Sequence, residues 1–148
     1  MSQAIDRDST ACTADAAKTL KILIADDTFA SRQLLARLLR QFLRTTIHEA
    51  SDGVQAVQEF RVSRPDITFL DIDMPNMDGM AALKEIRTLE PESFVVMVSG
   101  VSSIETVQQA QSLGVNGFVV KPYSGQRIFD VMKKYALLHG GLSLLRGN

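Results

Sequence analysis

The chain has 148 residues, of which 45% are hydrophobic and 22% are charged, values typical of one soluble globular domain. Its 16 Lys and Arg against 17 Asp and Glu give a formal net charge of −1, which argues against nucleic-acid wrapping and against adhesion to an anionic membrane. A single cysteine, Cys12, excludes an intramolecular disulfide and a cysteine metal cluster.

The two ends of the chain differ in pattern from its middle. Residues 1–20 are polar and lack sustained periodicity, so we expect a flexible N-terminal extension. They resemble neither a signal peptide nor a membrane span, which makes the cytoplasm the expected location. We expect the folded domain to cover residues 21–139 and a short C-terminal tail to cover residues 140–148.

Short apolar runs and amphipathic segments alternate along the chain. The first apolar run, residues 21–25, stops at Asp26 and Asp27, and a helical pattern of leucines follows. The second run, residues 45–50, is less apolar and suits a strand nearer the sheet edge. Asp52 stands where a second helix is expected to begin.

The third apolar run ends at an acidic residue, and a loop follows directly. Residues 67–70 are β-branched and aromatic, and Pro65 and Pro75 bound the stretch on either side. Asp71 therefore stands at the carboxyl end of a buried strand. A helix is predicted over residues 80–89.

Two further strand and helix pairs complete the pattern. Residues 94–98 form a near-continuous apolar run that ends at Ser99, and residues 117–120 run into Lys121. An amphipathic helix follows each run. Alternation of this kind predicts an α/β fold, a doubly wound five-stranded parallel sheet with helices on both faces.

In such a sheet the strand ends place five polar side chains at one edge, where ligands bind: Asp26, Asp27, Asp71, Ser99 and Lys121. Three clustered carboxylates need a compensating cation, either Lys121 or a hard divalent ion such as Mg²⁺. If Asp71 attacks a phosphorus centre, an acyl phosphate forms. Mg²⁺ and Lys121 would then neutralise its oxygens, and Ser99 would supply a hydrogen bond.

The order and spacing of these motifs resemble those of bacterial response-regulator receiver domains, and the stand-alone chemotaxis-type regulators are the nearest in size. The resemblance covers residues 21 to about 139. It rests on the pair Asp26-Asp27, the block from Leu70 to Gly79, Ser99-Gly100 and Lys121-Pro122. It implies a flavodoxin-like strand order 2-1-3-4-5 and a place in two-component signalling.

The resemblance also implies roles for individual residues. Asp71 would accept phosphate from a histidine kinase or a phosphotransfer protein. Asp27, Asp71 and the backbone carbonyl of Asp73 would hold Mg²⁺, with Asp26 acting largely through water. The protein would be a phosphoacceptor signalling domain that assists its own phosphorylation and dephosphorylation, not an enzyme in the ordinary sense.

A switch and an output surface are implied as well. Phe118 would turn inward when Ser99 shifts toward the phosphoryl group, and the bond before Pro122 would be cis. The fourth helix, the fifth strand and the last helix would then bind an effector protein, whose identity and pathway the residues leave open. We expect a monomer, with a dimer as the alternative.

Two other functions also remain compatible with the sequence. Asp71-Ile72-Asp73 also fits the motif of haloacid-dehalogenase-type phosphatases, although Pro75 stands where that motif calls for threonine or valine. A phosphate-independent interaction module is the second alternative. Asp78 is expected to be a turn and helix-start residue without a direct role.

Overall fold

The structure is a computed structural model that describes residues 18–145. Residues 1–17, with Cys12 and most of the predicted extension, and residues 146–148 lie outside the described range. Within that range one sheet of parallel strands has the order β2-β1-β3-β4-β5. Its strands are β1 (Leu20–Ala25), β2 (Thr45–Ala50), β3 (Ile67–Asp71), β4 (Phe94–Ser99) and β5 (Gly117–Val120). The predicted fold class and strand order are confirmed.

A helix follows each strand: α1 (Phe29–Phe42), α2 (Gly53–Ser63), α3 (Gly79–Leu89), α4 (Ile104–Ser112) and α5 (Gly125–His139). Four begin with a side-chain cap, in which the oxygen of Asp52, Asp78, Ser103 or Ser124 accepts a backbone N–H three residues on. Asp78 is thus the predicted helix-start residue. Thr28 precedes α1 without a side-chain cap bond.

The sheet separates two apolar cores because alternate residues of each strand face opposite sides. One core lies under α1 and α5 and contains Ile22, Ile24, Phe69, Val96 and Leu39 among others. The other lies under α2, α3 and α4 and contains Leu23, Leu70, Met97, Phe60 and Ile86 among others. Strands buried on both faces explain why the sequence shows continuous apolar runs.

The two ends of the range 18–145 pack more closely than the sequence pattern indicates. β1 begins at Leu20, one residue before the predicted start, and Leu20 is 1% exposed. After α5 a 3₁₀ turn, Leu142–Leu144, follows, and Leu144 and Leu145 pack against the core beneath α1 and α5. The apolar tail leucines therefore dock in part on their own domain.

Arg87 of α3 ties two connections together, α3–β4 and α4–β5, at the edge of the sheet opposite the strand carboxyl ends. Its Nε donates to the Leu113 carbonyl at 2.9 Å and its Nη1 to the Ser93 carbonyl at 2.7 Å. Its Nη2 donates to the carbonyl of Gly114 at 2.5 Å and to Asn116 Oδ1 at 3.2 Å. Burial lowers the pKa of Arg87. One guanidinium thus donates to three backbone carbonyls and to one side-chain amide oxygen.

We predict that Arg87→Ala lowers the free energy of unfolding by about 2–3 kcal/mol, because charged hydrogen bonds contribute about 1.5–3 kcal/mol and their loss leaves partly buried carbonyls unpaired. Urea denaturation measures the change. Arg61→Ala, at an exposed position of α2, is the matched control and should change stability by no more than about 0.5 kcal/mol. Equal stability of the two variants would contradict a structural role for Arg87.

Among residues 18–145, none of the helices combines the length and the apolar character needed to cross a bilayer.

Candidate functional site

Three carboxylates converge at the carboxyl ends of β1 and β3. One oxygen each from Asp26, Asp27 and Asp71 lies within 4.8 Å of the others, an arrangement that could hold a metal ion. Asp26 and Asp71 are buried, with 6% and 5% of their surfaces exposed, whereas Asp27 is exposed. Parallel pairing of β1 with β3 brings these residues together, although they lie far apart in sequence.

Lys121, directly after β5, reaches into this cluster. Its Nζ donates to Asp26 Oδ2 at 2.9 Å and to Asp71 Oδ2 at 2.6 Å. Burial raises the pKa of Asp71, and the neighbouring Lys121 opposes that rise. Burial would lower the pKa of Lys121, but its bonds to Asp71 and Asp26 outweigh burial and raise it. The ammonium is therefore held charged between two carboxylates.

The other oxygens of the two buried acids accept backbone N–H groups. Asp71 Oδ1 accepts from the N–H of Asp73 at 3.1 Å, and Asp26 Oδ1 accepts from that of Thr28 at 2.8 Å. The side chain of Asp73 is exposed and does not belong to the carboxylate cluster. Of the two acids in Asp71-Ile72-Asp73, only Asp71 has its side chain in the carboxylate cluster.

Gly79 lets the start of α3 approach β3 closely. Its N–H donates to the carbonyl of Ile72 at 2.8 Å. A Cβ at this position would overlap the backbone carbonyl of Asp71. The glycine of the Asp78-Gly79 motif therefore fixes the backbone that carries Asp71.

A hydrogen bond to the residue that precedes α2 also holds the loop between β3 and α3. Asn76, with a φ of 67°, donates from its amide to Asp52 Oδ2 at 2.7 Å. Bonds to the backbone N–H of Gln55 and to Asn76 lower the pKa of Asp52. Asp52 thus caps α2 and anchors the loop, a second role that its cap position alone did not indicate.

The two residues of the expected switch, Ser99 and Phe118, lie on β4 and β5. Ser99, the last residue of β4, is 1% exposed, and its Oγ accepts from the N–H of Val101 at 3.0 Å. Its carbonyl accepts from the N–H of Lys121 at 2.8 Å. Phe118, in β5, is partly buried against the core beneath α2, α3 and α4. The peptide bond between Lys121 and Pro122 is cis, as expected.

Arg32 of α1 also contributes to the site, although it belongs to none of the sequence motifs. Its Nη1 donates to the backbone carbonyl of Asp26 at 2.7 Å, while its Nε pairs with Glu49 at 2.7 Å. Glu49 lies near the end of β2, beside β1, so the predicted strand order already placed it near Asp26. In the sequence, the position of Arg32 one turn into α1 was the available indication of this role.

Known proteins that are similar to this chain identify its family. The family model of the response regulator receiver domain matches residues 22–133. The chain belongs to this family. Its members serve two-component signal transduction, in which phosphorylation of an aspartate is typical.

This receiver domain is similar to curated chemotaxis and sporulation proteins. The chemotaxis protein CheY of Listeria monocytogenes is 34% identical over 117 residues, which cover 79% of this chain and 98% of that protein. Sporulation initiation phosphotransferase F of Bacillus subtilis is 31% identical over 115 residues, covering 78% of this chain and 92% of the relative.

A solved structure of a CheX-CheY-BeF3-Mg complex from Borrelia burgdorferi contains a similar chain, with a TM-score of 0.72 and 28% identity. The likeness covers 76% of this chain and 86% of that one. The two chains therefore share a fold.

Proposed function

We propose that this receiver domain accepts a phosphoryl group on Asp71 from a histidine kinase or a phosphotransfer protein, in the presence of Mg²⁺. The observation that carries the proposal is the position of Asp71, whose buried carboxylate lies within reach of both Lys121 and two further acids. A structural ion pair would need one acid for one lysine. This site has three.

The chemistry follows from the groups around Asp71. A carboxylate oxygen of Asp71 attacks phosphorus, the bond from phosphorus to the donor imidazole nitrogen breaks, and an acyl phosphate is left on Asp71. The ammonium of Lys121 then pairs with phosphoryl oxygens, and it is already placed at 2.6 Å from the attacking carboxylate. Because the donor imidazole leaves with its electron pair, it takes up a proton when it departs.

The donor set fits a hard divalent cation. Asp26, Asp27 and Asp71 supply carboxylate oxygens, and we assign the backbone carbonyl of Asp73 as a further ligand, with Asp26 acting largely through water. When all groups are ionised, three carboxylates against one ammonium leave two negative charges unbalanced. Bound Mg²⁺ would offset this charge and that of the phosphoryl oxygens.

The proposal is tested by the stoichiometry of phosphorylation. With acetyl phosphate and Mg²⁺, we expect at most one phosphoryl group per chain, detected by intact-protein mass spectrometry, and no adduct when the metal is removed by EDTA. A generic phosphomonoester should show no sustained turnover. Continuous hydrolysis of that ester would instead support the alternative function, a haloacid-dehalogenase-type phosphatase.

We propose further that phosphorylation alters the surface formed by α4, β5 and α5, where an effector protein binds. The hydroxyl of Ser99 now bonds to the N–H of Val101, so its rotation toward a phosphoryl group would release the start of the β4–α4 connection. Ala110 is the one buried residue of α4, so few apolar contacts oppose a shift of this helix. Ile104 and Val120 are 71% and 40% exposed on this surface.

Amide NMR tests this switch without knowledge of the effector. Beryllofluoride with Mg²⁺ should shift amide resonances at Val101, in α4 and at Phe118, and should speed hydrogen exchange at Val101. Ser99→Ala removes the hydroxyl and should suppress these distant shifts while shifts at Asp71 remain. Identical distant shifts in Ser99→Ala and in the unmodified protein would contradict the proposed path.

A further inference from the structure

The exposed side of α1 carries a positive stripe, which we name the α1 basic face and define as Arg37, Arg40 and Arg44. The three arginines are exposed. Arg37 and Arg40 lie three residues apart on one side of α1, and Arg44 lies two residues beyond the helix end. Residues 28–48 contain four arginines and no Asp or Glu. This stretch is strongly basic in a chain whose formal net charge is −1.

Helix electrostatics explain only part of this stripe. Cations near a helix C-terminus interact favourably with its dipole, which accounts for Arg40 and Arg44. Arg37 lies a turn earlier. Among residues 18–145, no acidic side chain lies within ion-pair distance of Arg37 or Arg44, whereas Arg32 of the same helix pairs with Glu49.

The N-terminal segment enters the described fold beside this face. The N–H of Leu20 donates to the carbonyl of Arg44 at 2.9 Å, so the chain passes the end of α1 as it enters β1. Residues 1–17 precede the described range and carry Asp6, Asp8 and Asp15 against one arginine. An extended chain of this length reaches up to about 55 Å. The 14 residues of α1 span about 21 Å, so the acids can reach all three arginines.

We propose that residues 1–17 dock on the α1 basic face of their own chain, with their aspartates paired to Arg37 and Arg44. Opposite charge and direct continuity with β1 favour this occupant, because a tethered segment has a high effective concentration at a neighbouring surface. Exposed ion pairs are individually weak and screened by salt, so the contact should be sensitive to ionic strength. It does not depend on the chemistry of Asp71.

The single cysteine of the chain provides the test, because Cys12 lies in the segment and takes a nitroxide label without any substitution. At low ionic strength, amides of residues 37–44 should lose most of their NMR intensity through paramagnetic relaxation, compared with the same sample after reduction of the nitroxide. In 1 M salt, where the Debye length is about 3 Å, the intensity should return. Broadening elsewhere, or none at all, overturns the proposal.

Two controls separate the alternatives. The double variant Arg37→Glu with Arg44→Glu should abolish the broadening, whereas Lys84→Glu with Lys133→Glu, at exposed positions of α3 and α5, should leave it unchanged. A mixture of ¹⁵N-labelled protein that carries no nitroxide with unlabelled-nitrogen (¹⁴N) protein that carries the nitroxide should show no broadening. Broadening in that mixture would place the segment on a second copy and would overturn the intramolecular contact.

Discussion

Replacing Asp71 with asparagine is expected to abolish the phosphoryl adduct completely while leaving the domain folded. A neutral amide cannot form the acyl phosphate that a carboxylate forms. Lys121 keeps a partner in Asp26 at 2.9 Å, so its ammonium stays paired. Because burial raises the pKa of Asp71, ionising this carboxyl costs more in the folded than in the unfolded chain, so the neutral amide should not lower stability.

The measurement is intact-protein mass spectrometry after incubation with acetyl phosphate and Mg²⁺, alongside urea denaturation of the same samples. Asp73→Asn is the matched control, because this neighbouring acid is exposed and its side chain lies outside the carboxylate cluster. That variant should still form the adduct. Undiminished phosphorylation of Asp71→Asn would refute the assignment of the acceptor.

The convergence of the site could be predicted because its cause is topological. Apolar runs buried on both faces mark β1, β3 and β4, and parallel strands bring their carboxyl ends to one edge. Residues that follow the strands, such as Asp26, Asp71 and Lys121, must then be neighbours. Strand order came from the resemblance, since hydrophobic patterns alone do not determine which strands pair.

The polar contacts that hold the site could not be predicted in this way. The anchors Arg87, Arg32 and Asp52 bind groups on other elements, and their partners lie 6 to 29 residues away along the chain. Long side chains carry no periodic signal, because solvated and bonded arginines look alike in a sequence. The direction of the Ser99 hydroxyl, toward Val101, depends similarly on local backbone geometry.

The sequence also does not show which glycines are required by a close approach of the backbone. Gly79 follows Asp78 and Gly100 follows Ser99, and both glycines entered the prediction only as members of the sequence motifs. In the structure a Cβ on Gly79 would meet backbone atoms, whereas a Cβ on Gly100 would meet nothing within 4 Å. The same residue type therefore has a steric role at one position and none at the other.

Gly79→Ala is accordingly expected to lower the free energy of unfolding by at least about 2 kcal/mol, within the range found when a tightly packed site is overfilled. Helix propensity alone would predict a gain of about 1 kcal/mol from this substitution. The clash should decide the sign, since the added Cβ would overlap the Asp71 carbonyl and lie 2.9 Å from Ile72 Cα. These backbone atoms cannot withdraw without breaking the Gly79 to Ile72 hydrogen bond.

Urea denaturation of Gly79→Ala and Gly100→Ala separates the steric effect from a general effect of removing glycine. Gly100→Ala should be neutral or stabilising by up to about 1 kcal/mol, because alanine restricts the unfolded chain and meets no obstacle. The phosphoryl adduct should also form more slowly in Gly79→Ala than in Gly100→Ala, because the displaced backbone carries Asp71. If Gly79→Ala were as stable as its control, the close approach of α3 to β3 would not be what positions the acceptor.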